Sequence, residues 1–125
     1  MTDKTATDAA ANADAAANAD TRQPSAVQQM FGDFAPALVH FTDDVLFGEV
    51  WRRPQLSPRD RSLVTVAALI AGGNVEQMTF HLQYAKDNGV TEEQLIEAIT
   101  HTAFYAGWPK AFSAIAVAKQ VFSTD

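Results

Sequence analysis

The chain has 125 residues, which is enough for one domain and too few for two of ordinary size. Hydrophobic residues make up 47% and charged residues 19%, as in globular proteins, and the net charge of −6 argues against a duplex nucleic-acid binder, which needs a basic face. The chain contains no cysteine, which excludes disulfides, thiolate metal sites, iron–sulfur clusters and thiol redox chemistry.

Residues 1–23 are predicted to be a disordered tail. The motif Asp-Ala-Ala-Ala-Asn-Ala begins at Asp8 and is repeated from Asp14, and no large apolar side chain follows Met1 in this stretch. Such a segment has little to bury against the entropy cost of ordering. It lacks the basic and apolar regions of a secretory signal, and no stretch of the chain has the apolar length that a bilayer requires. We therefore predict a soluble, cytoplasmic protein with no membrane partner.

Apolar residues recur with helical spacing from residue 24 onward, and they predict a single all-α domain over residues 24–125 with five or six helices. Ser25, after a proline, is predicted to open a short first helix. Asp33 is predicted to cap a second helix with Pro36 in its first turn. One face of this second helix is predicted to consist of Phe34, Leu38, Phe41 and Val45. An irregular segment follows over residues 48–54.

The later helices carry their own start and stop signals. The predicted starts are Ser57 before Pro58, Asn74 with Gln77, Thr91 with Gln94, and Pro109. The predicted stops are Gly72-Gly73, Gly89, and Gly107-Trp108. The last helix is predicted to face inward with Phe112, Ile115, Val117, Ala118, Val121 and Phe122. No apolar run of period two flanked by turn residues predicts a strand.

More than one helix face is apolar, and a domain of this size can hide only a limited fraction of its surface. We therefore predict a homo-oligomer that associates through helix faces. A well-packed monomer is the alternative.

His81 is the first candidate for chemistry. It lies on the same helix face as Met78, Leu82 and Ala85, so its imidazole is predicted to point toward apolar surroundings. From position alone, a core histidine satisfied by one hydrogen bond is favoured over a proton carrier. The three histidines of the chain show no HxxxH or HExxH spacing, and we predict no metal site.

Four arginines lie within ten residues of one another, beside Trp51 and close to the start of a helix. They are Arg52, Arg53, Arg59 and Arg61. Guanidinium groups and the free N–H groups of a helix start both suit carboxylates, which favours a small-anion site. A network of structural ion pairs with Glu49, Asp60 or the acids of a neighbouring subunit fits equally well.

Three further aromatic or imidazole side chains follow one another at spacings of four and three residues. His101, Tyr105 and Trp108 are predicted to lie along one edge of a helix and the turn that ends it. They could wall a pocket, whereas an aromatic stripe at this spacing is more often plain core.

Five short motifs in register resemble the carboxymuconolactone decarboxylase family. They are Gly48-Glu-Val-Trp-Arg-Arg-Pro-Gln-Leu56, Arg61-Ser-Leu-Val-Thr-Val-Ala67, Phe80-His81-Leu82, Asn88-Gly-Val-Thr91 and Tyr105-Ala-Gly-Trp-Pro109. The resemblance implies an all-helical subunit of the alkylhydroperoxidase D-like type, assembled as a trimer or hexamer. It also implies a decarboxylation of γ-carboxymuconolactone to the enol-lactone of β-ketoadipate that needs no cofactor, with a small carboxylate as substrate.

The sister branch of this fold uses a CxxC pair followed by a histidine four residues on. Asn74 and Gln77 stand where those cysteines would be, while His81 keeps the histidine position. A thiol peroxidase activity is therefore excluded.

Loss of CO2 from such a lactone leaves a dienolate. Catalysis then requires a hydrogen-bond donor at the lactone oxygen, an acid that protonates carbon, and a cationic anchor for the carboxylate that the substrate retains. With the resemblance, His81 is assigned as the proton donor or oxyanion partner, and Glu49 as the residue that orients it or relays a proton. The substrate-binding candidates are Arg52 as carboxylate anchor, then Arg53, Trp51, His101, Tyr105 and Trp108. The alternatives are an enzyme of the same scaffold acting on a different lactone or keto acid, and a non-catalytic helical binding or assembly protein.

Overall fold

A computed structural model describes residues 24–123, and all regular structure in that range is helical. The six α-helices of this range are α1 (Ala26–Phe31), α2 (Pro36–His40), α3 (Pro58–Gly72), α4 (Val75–Asp87), α5 (Glu92–Ala106) and α6 (Trp108–Ser123). A π-helical segment, Phe41–Phe47, continues α2, and a 3-10 turn, Val50–Arg52, precedes α3. The predicted all-α class is thus confirmed, whereas the predicted tail over residues 1–23 lies outside the described residues.

Helices α3 to α6 form the packed body of the domain. Helix α4 packs against α3 and α6, and α5 packs against the same two helices. The fully buried side chains between them come from all four helices and include Val66, Ile70, Met78, Leu82, Leu95 and Ala114. None of the helices within residues 24–123 combines the length and the apolar character needed to cross a bilayer.

Most predicted helix ends are confirmed. The Ser25 and Ser57 side chains each accept a hydrogen bond from a backbone N–H of the helix they open, and Thr91 and Gln94 form a reciprocal capping box. Helix α3 ends at Gly73, whose φ of 70° lies in the left-handed region that glycine adopts at no steric cost.

Two predicted caps are wrong. Helix α2 begins after Ala35 rather than after Asp33, and Asn74 precedes α4 without any side-chain capping bond. The backbone ψ of both Ala35 and Asn74 is 67°, whereas the two capping residues Ser57 and Thr91 have ψ of 159°. Ala35 has no side-chain atom that could accept a hydrogen bond, and Asn74 lacks the extended backbone from which an N-cap side chain reaches the helix N–H groups.

Two apolar faces point outward. Phe34, Leu38 and Phe41 of the predicted apolar face are exposed, because the buried side of this segment is formed by Val39 and Phe47 instead. The prediction that Phe112 faces inward is also wrong, since 65% of this side chain is exposed. The inner face of α6 is instead a stripe of small residues and one valine, namely Ala111, Ala114, Ala118 and Val121. Small side chains there allow the neighbouring helices to approach closely.

Substituting Thr91 with alanine is expected to lower the free energy of unfolding by about 1 kcal/mol, because it removes one half of the capping box of α5. Urea unfolding followed by circular dichroism measures this loss. Thr79→Ala is the matched control, since Thr79 is an exposed residue in the middle of α4. Equal losses in the two variants would contradict the capping role of Thr91.

Candidate active site

His81 belongs to a cluster of five rings from three elements. The aromatic cluster consists of Phe47 at the end of the π-helical segment, Trp51 in the 3-10 turn, and Phe80, His81 and Tyr84 on α4. The Trp51 ring lies 6.4 Å from the His81 ring, centroid to centroid, with an angle of 19° between the two planes. Trp51 also contacts Tyr84 at 5.0 Å and Phe47 at 5.8 Å. One tryptophan therefore joins the irregular segment to the helix that carries His81.

The irregular backbone before α3 positions Trp51 against α4. The π-helical segment ends with the buried Phe47, and the 3-10 turn that follows buries Trp51, of which 8% is exposed. π-helical turns are rare and are found frequently at functional sites. Here the π-helical segment and the 3-10 turn place two large rings against α4 from outside the four-helix body.

His81 is mostly buried and forms no hydrogen bond with any described residue. Its Nδ1 atom is inaccessible to solvent and lacks a partner. This contradicts the expectation of a core histidine satisfied by one hydrogen bond. A buried polar atom without a partner is uncommon and costs free energy, which makes His81 a candidate for a functional role.

Burial lowers the pKa of His81 from 6.5 to about 4, because desolvation disfavours the charged imidazolium. The ring is therefore neutral near pH 7. A neutral imidazole has one N–H donor and one lone pair, so it can donate to a developing oxyanion and exchange a proton with a neighbouring atom.

The other site residues predicted near Trp51 lie in the 3-10 turn or directly next to it. Glu49 precedes the turn, Arg52 ends it, and Arg53 follows it with an extended backbone. All three side chains are exposed, in contrast to Trp51. They are neighbours of Trp51 in sequence, and their assigned roles in catalysis and substrate binding stay predictions.

His101, Tyr105 and Trp108 belong to a different part of the surface. His101 contacts Tyr105 at 5.1 Å, and Trp108 contacts Phe104 at 5.0 Å. No ring contact joins them to the aromatic cluster within residues 24–123. Because 82% of Tyr105 and 49% of Trp108 are exposed, they are not core residues either, which excludes one of the two interpretations left open by their spacing.

Two open apolar grooves run along the surface formed by α5 and α6. One, of about 260 Å³, lies around Phe104, Trp108 and Phe112; the other, of about 510 Å³, lies around Ile96 and Phe122. Ile115 lines both, so the two grooves form one continuous strip. We refer to it as the α5–α6 face.

Sequence reasoning missed three members of the aromatic cluster. Phe80 and Tyr84 are one helical turn apart on either side of His81, and this spacing could have indicated them. Phe47 could not have been found in this way, because the π-helical segment breaks the 3.6-residue period. No group of three or more histidine, aspartate or glutamate side chains within residues 24–123 is arranged to hold a metal ion.

The fold and the site together define an all-helical protein with a buried neutral imidazole beside an arginine-bearing turn. The absence of cysteine from the whole sequence separates it from the thiol-dependent branch of similar folds. The family model of the carboxymuconolactone decarboxylase family matches residues 36–120, and the chain belongs to this family.

Two relatives indicate what kind of chemistry occurs among similar proteins. Over 90 residues the chain is 41% identical to 4-carboxymuconolactone decarboxylase of Acinetobacter baylyi, a match that covers 72% of this chain and 67% of the relative. Over 77 residues it is 35% identical to nitrosuccinic acid decarboxylase of Metarhizium robertsii, covering 62% of this chain and 54% of the relative. Both relatives are named for the removal of a carboxyl group from a small acid.

Proposed function

We propose that the protein is a cytoplasmic carboxy-lyase that needs no cofactor and removes CO2 from a small carboxylated lactone such as γ-carboxymuconolactone. The observation that carries the proposal is the neutral, buried His81 without a hydrogen-bond partner, in a chain that is 41% identical to a 4-carboxymuconolactone decarboxylase. A neutral imidazole beside a tryptophan is a suitable contact for a reacting oxygen or carbon through its second nitrogen, Nε2, since Nδ1 is enclosed.

The reaction breaks the bond between the γ-carbon and its carboxylate. CO2 leaves, the electron pair spreads into the ring as a dienolate, and a carbon atom then takes up one proton, which completes the enol-lactone. His81 stabilises the developing negative charge through its N–H group or supplies the proton. Donation from a neutral imidazole requires no charge on the ring in the resting state, in accordance with the lowered pKa.

The surroundings of His81 have separate roles in this proposal. Trp51 forms an apolar wall that favours the dispersed charge of the dienolate over the localised charge of a carboxylate. Arg52, with Arg53 beside it, anchors the carboxylate that the substrate retains, and Glu49 orients His81 or relays a proton. His101, Tyr105 and Trp108 contribute to the pocket only where subunits meet, since they lie apart from the aromatic cluster within one chain.

The second candidate is decarboxylation of a different small acid on the same scaffold. The relative from Metarhizium robertsii is named for nitrosuccinic acid, which is not a lactone. A nitro group and a lactone carbonyl both accept the electron pair that CO2 leaves behind. The same imidazole therefore suits either substrate.

Incubation of the purified protein with γ-carboxymuconolactone, followed by ultraviolet absorbance, tests the proposal. We expect the absorbance of the lactone to decrease, which supports the first candidate function. An assay of 2-nitrosuccinate in parallel tests the second candidate function. Turnover of the nitro acid alone would move the assignment to that substrate class. If carboxylates stabilise the protein against unfolding and none is turned over, the protein is a binder and not an enzyme.

We further propose that the protein is a homo-oligomer, a trimer or hexamer, assembled through the α5–α6 face. Exposed aromatic side chains support this: 72% of Phe104, 49% of Trp108 and 65% of Phe112 are accessible in the single chain. Contiguous apolar surface of this kind marks protein interfaces. Closed symmetry would bring the α5–α6 faces of neighbouring subunits together.

Replacing Phe104 and Phe112 together with serine is expected to dissociate the oligomer, because the variant loses two large apolar side chains at the centre of the proposed interface. Size-exclusion chromatography with light scattering measures the mass. Met30→Ser is the control, since Met30 is an exposed apolar residue on α1, outside the α5–α6 face. An unchanged mass for the Phe104 and Phe112 variant would contradict the location of the interface.

A further inference from the structure

Arg61 and Arg59 are both half-buried, and Arg61 differs from Arg59 in the hydrogen bonding of its guanidinium. Its Nε atom is inaccessible to solvent and has no hydrogen-bond partner among the described residues. Its Nη2 atom donates to the carbonyl oxygen of Arg53 at 3.2 Å, which holds the plane of the guanidinium against the end of the 3-10 turn. The ion pairs within residues 24–123 do not include Arg61, so its charge is not balanced by a neighbouring carboxylate.

Arg59, two residues earlier on α3, shows the contrast. Its guanidinium lies 3.5 Å from the Asp60 carboxylate and donates to the Gln94 side chain at 2.8 Å. For Arg59, the structure therefore supports the second of the two interpretations of the arginine group, a structural ion pair. Arg61 has no such ion pair within residues 24–123.

Arg61 and His81 are both linked to the 3-10 turn. The carbonyl oxygen of Arg53 accepts from Arg61, and the ring of Trp51, two residues earlier, stacks on His81. Each of these two side chains has a buried nitrogen without a partner. A ligand with an anionic group at one end and a reacting centre at the other would contact the outward N–H groups of Arg61 and the ring of His81.

We propose that Arg61 binds the carboxylate that the substrate keeps and so selects for lactones with a charged side chain. This inference rests on the proposed decarboxylation and adds a binding residue beside Arg52. The outward N–H groups of Arg61 bind the carboxylate, while the bond to the Arg53 carbonyl fixes the orientation of the guanidinium in advance. The bound anion supplies the missing counter-charge.

The test compares γ-carboxymuconolactone with an analogue in which the side-chain carboxylate is replaced by a primary amide. The analogue keeps the γ-carboxylate that leaves as CO2 and lacks the negative charge of the side chain. In the wild type, kcat/KM is expected to be about 10–100-fold higher for the acid than for the amide, as for a charged hydrogen bond. Arg61→Gln should lose most of this ratio, chiefly through KM, and Arg61→Lys should restore part of it. Arg59→Gln, the matched control with the same loss of charge, should keep the ratio.

A merely structural role would give a different result. If Arg61 only held the 3-10 turn in place, Arg61→Gln would lower the rates for acid and amide alike and leave their ratio unchanged. That outcome would overturn the proposal.

A binding measurement separates the failure of this inference from the failure of the proposed function. Calorimetric titration with glutarate, a simple dicarboxylate, is expected to show binding to the wild type and Arg59→Gln, and at least 10-fold weaker binding to Arg61→Gln. This result without any lactone turnover would reject the decarboxylase and keep the Arg61 site. Equal binding to Arg61→Gln, or none to the wild type, would reject the site.

Discussion

Replacing His81 with alanine is expected to lower kcat for γ-carboxymuconolactone by about 10²–10⁴-fold, the range typical for the loss of a positioned proton-transfer group. The imidazole has no hydrogen bond with any described residue, so its removal breaks no polar network. The molecular mass in solution should therefore equal that of the wild type, and light scattering on the variant checks this. Steady-state kinetics on the pure variant measures the loss.

His40→Ala is the matched control for this substitution. His40 is exposed, and its Nδ1 atom lies 2.7 Å from the Asp44 carboxylate on the solvent side of the π-helical segment. Its removal should change kcat by less than twofold. Retained turnover in the His81 variant would remove His81 from the mechanism, whatever the activity of the control.

The burial of His81 also makes a prediction about stability. Its pKa is about 4 in the folded protein and close to 6.5 when unfolded, so between these values the unfolded chain binds more protons. The free energy of unfolding should therefore fall as the pH is lowered from 6.5 to 4. Each pKa unit is worth about 1.4 kcal/mol, which gives a loss of roughly 3 kcal/mol from this residue.

His81→Gln isolates this contribution, because glutamine has no charge to gain. Other groups titrate in the same range; burial raises the pKa of Asp43, which acts in the opposite direction. These groups are present in both proteins and cancel in the difference. Urea unfolding at pH 7 and pH 4 should show a smaller loss for the variant than for the wild type. Parallel pH dependence in the two proteins would contradict the buried, neutral state of His81.

The features that the sequence predicts well are those encoded by local chemistry. The serine caps, the Thr91–Gln94 capping box and the glycine that ends α3 each depend on a few adjacent residues. Asn74 has the residue type of a cap and fails because the chain enters α4 directly from the left-handed Gly73. A cap thus depends on the backbone in front of it as well as on its side chain.

The features that the sequence does not predict arise from non-local packing. Phe47 enters the aromatic cluster through a π-helical segment, for which the 3.6-residue period gives no signal. Phe112 is exposed because alanines form the inner face of α6, and apolar periodicity does not distinguish an interior face from an exposed apolar one. The buried nitrogens of His81 and Arg61 have no hydrogen-bond partner, and local sequence does not predict which residues of other helices lie beside them.

The central claim is that the protein removes CO2 from a carboxylated lactone by means of His81. The most direct test counts CO2 and γ-carboxymuconolactone in the same reaction, with wild type and His81→Ala side by side. We predict one CO2 released for each lactone consumed by the wild type, and none above background from the variant. Consumption of the lactone without CO2, or equal CO2 release by both proteins, would contradict the claim.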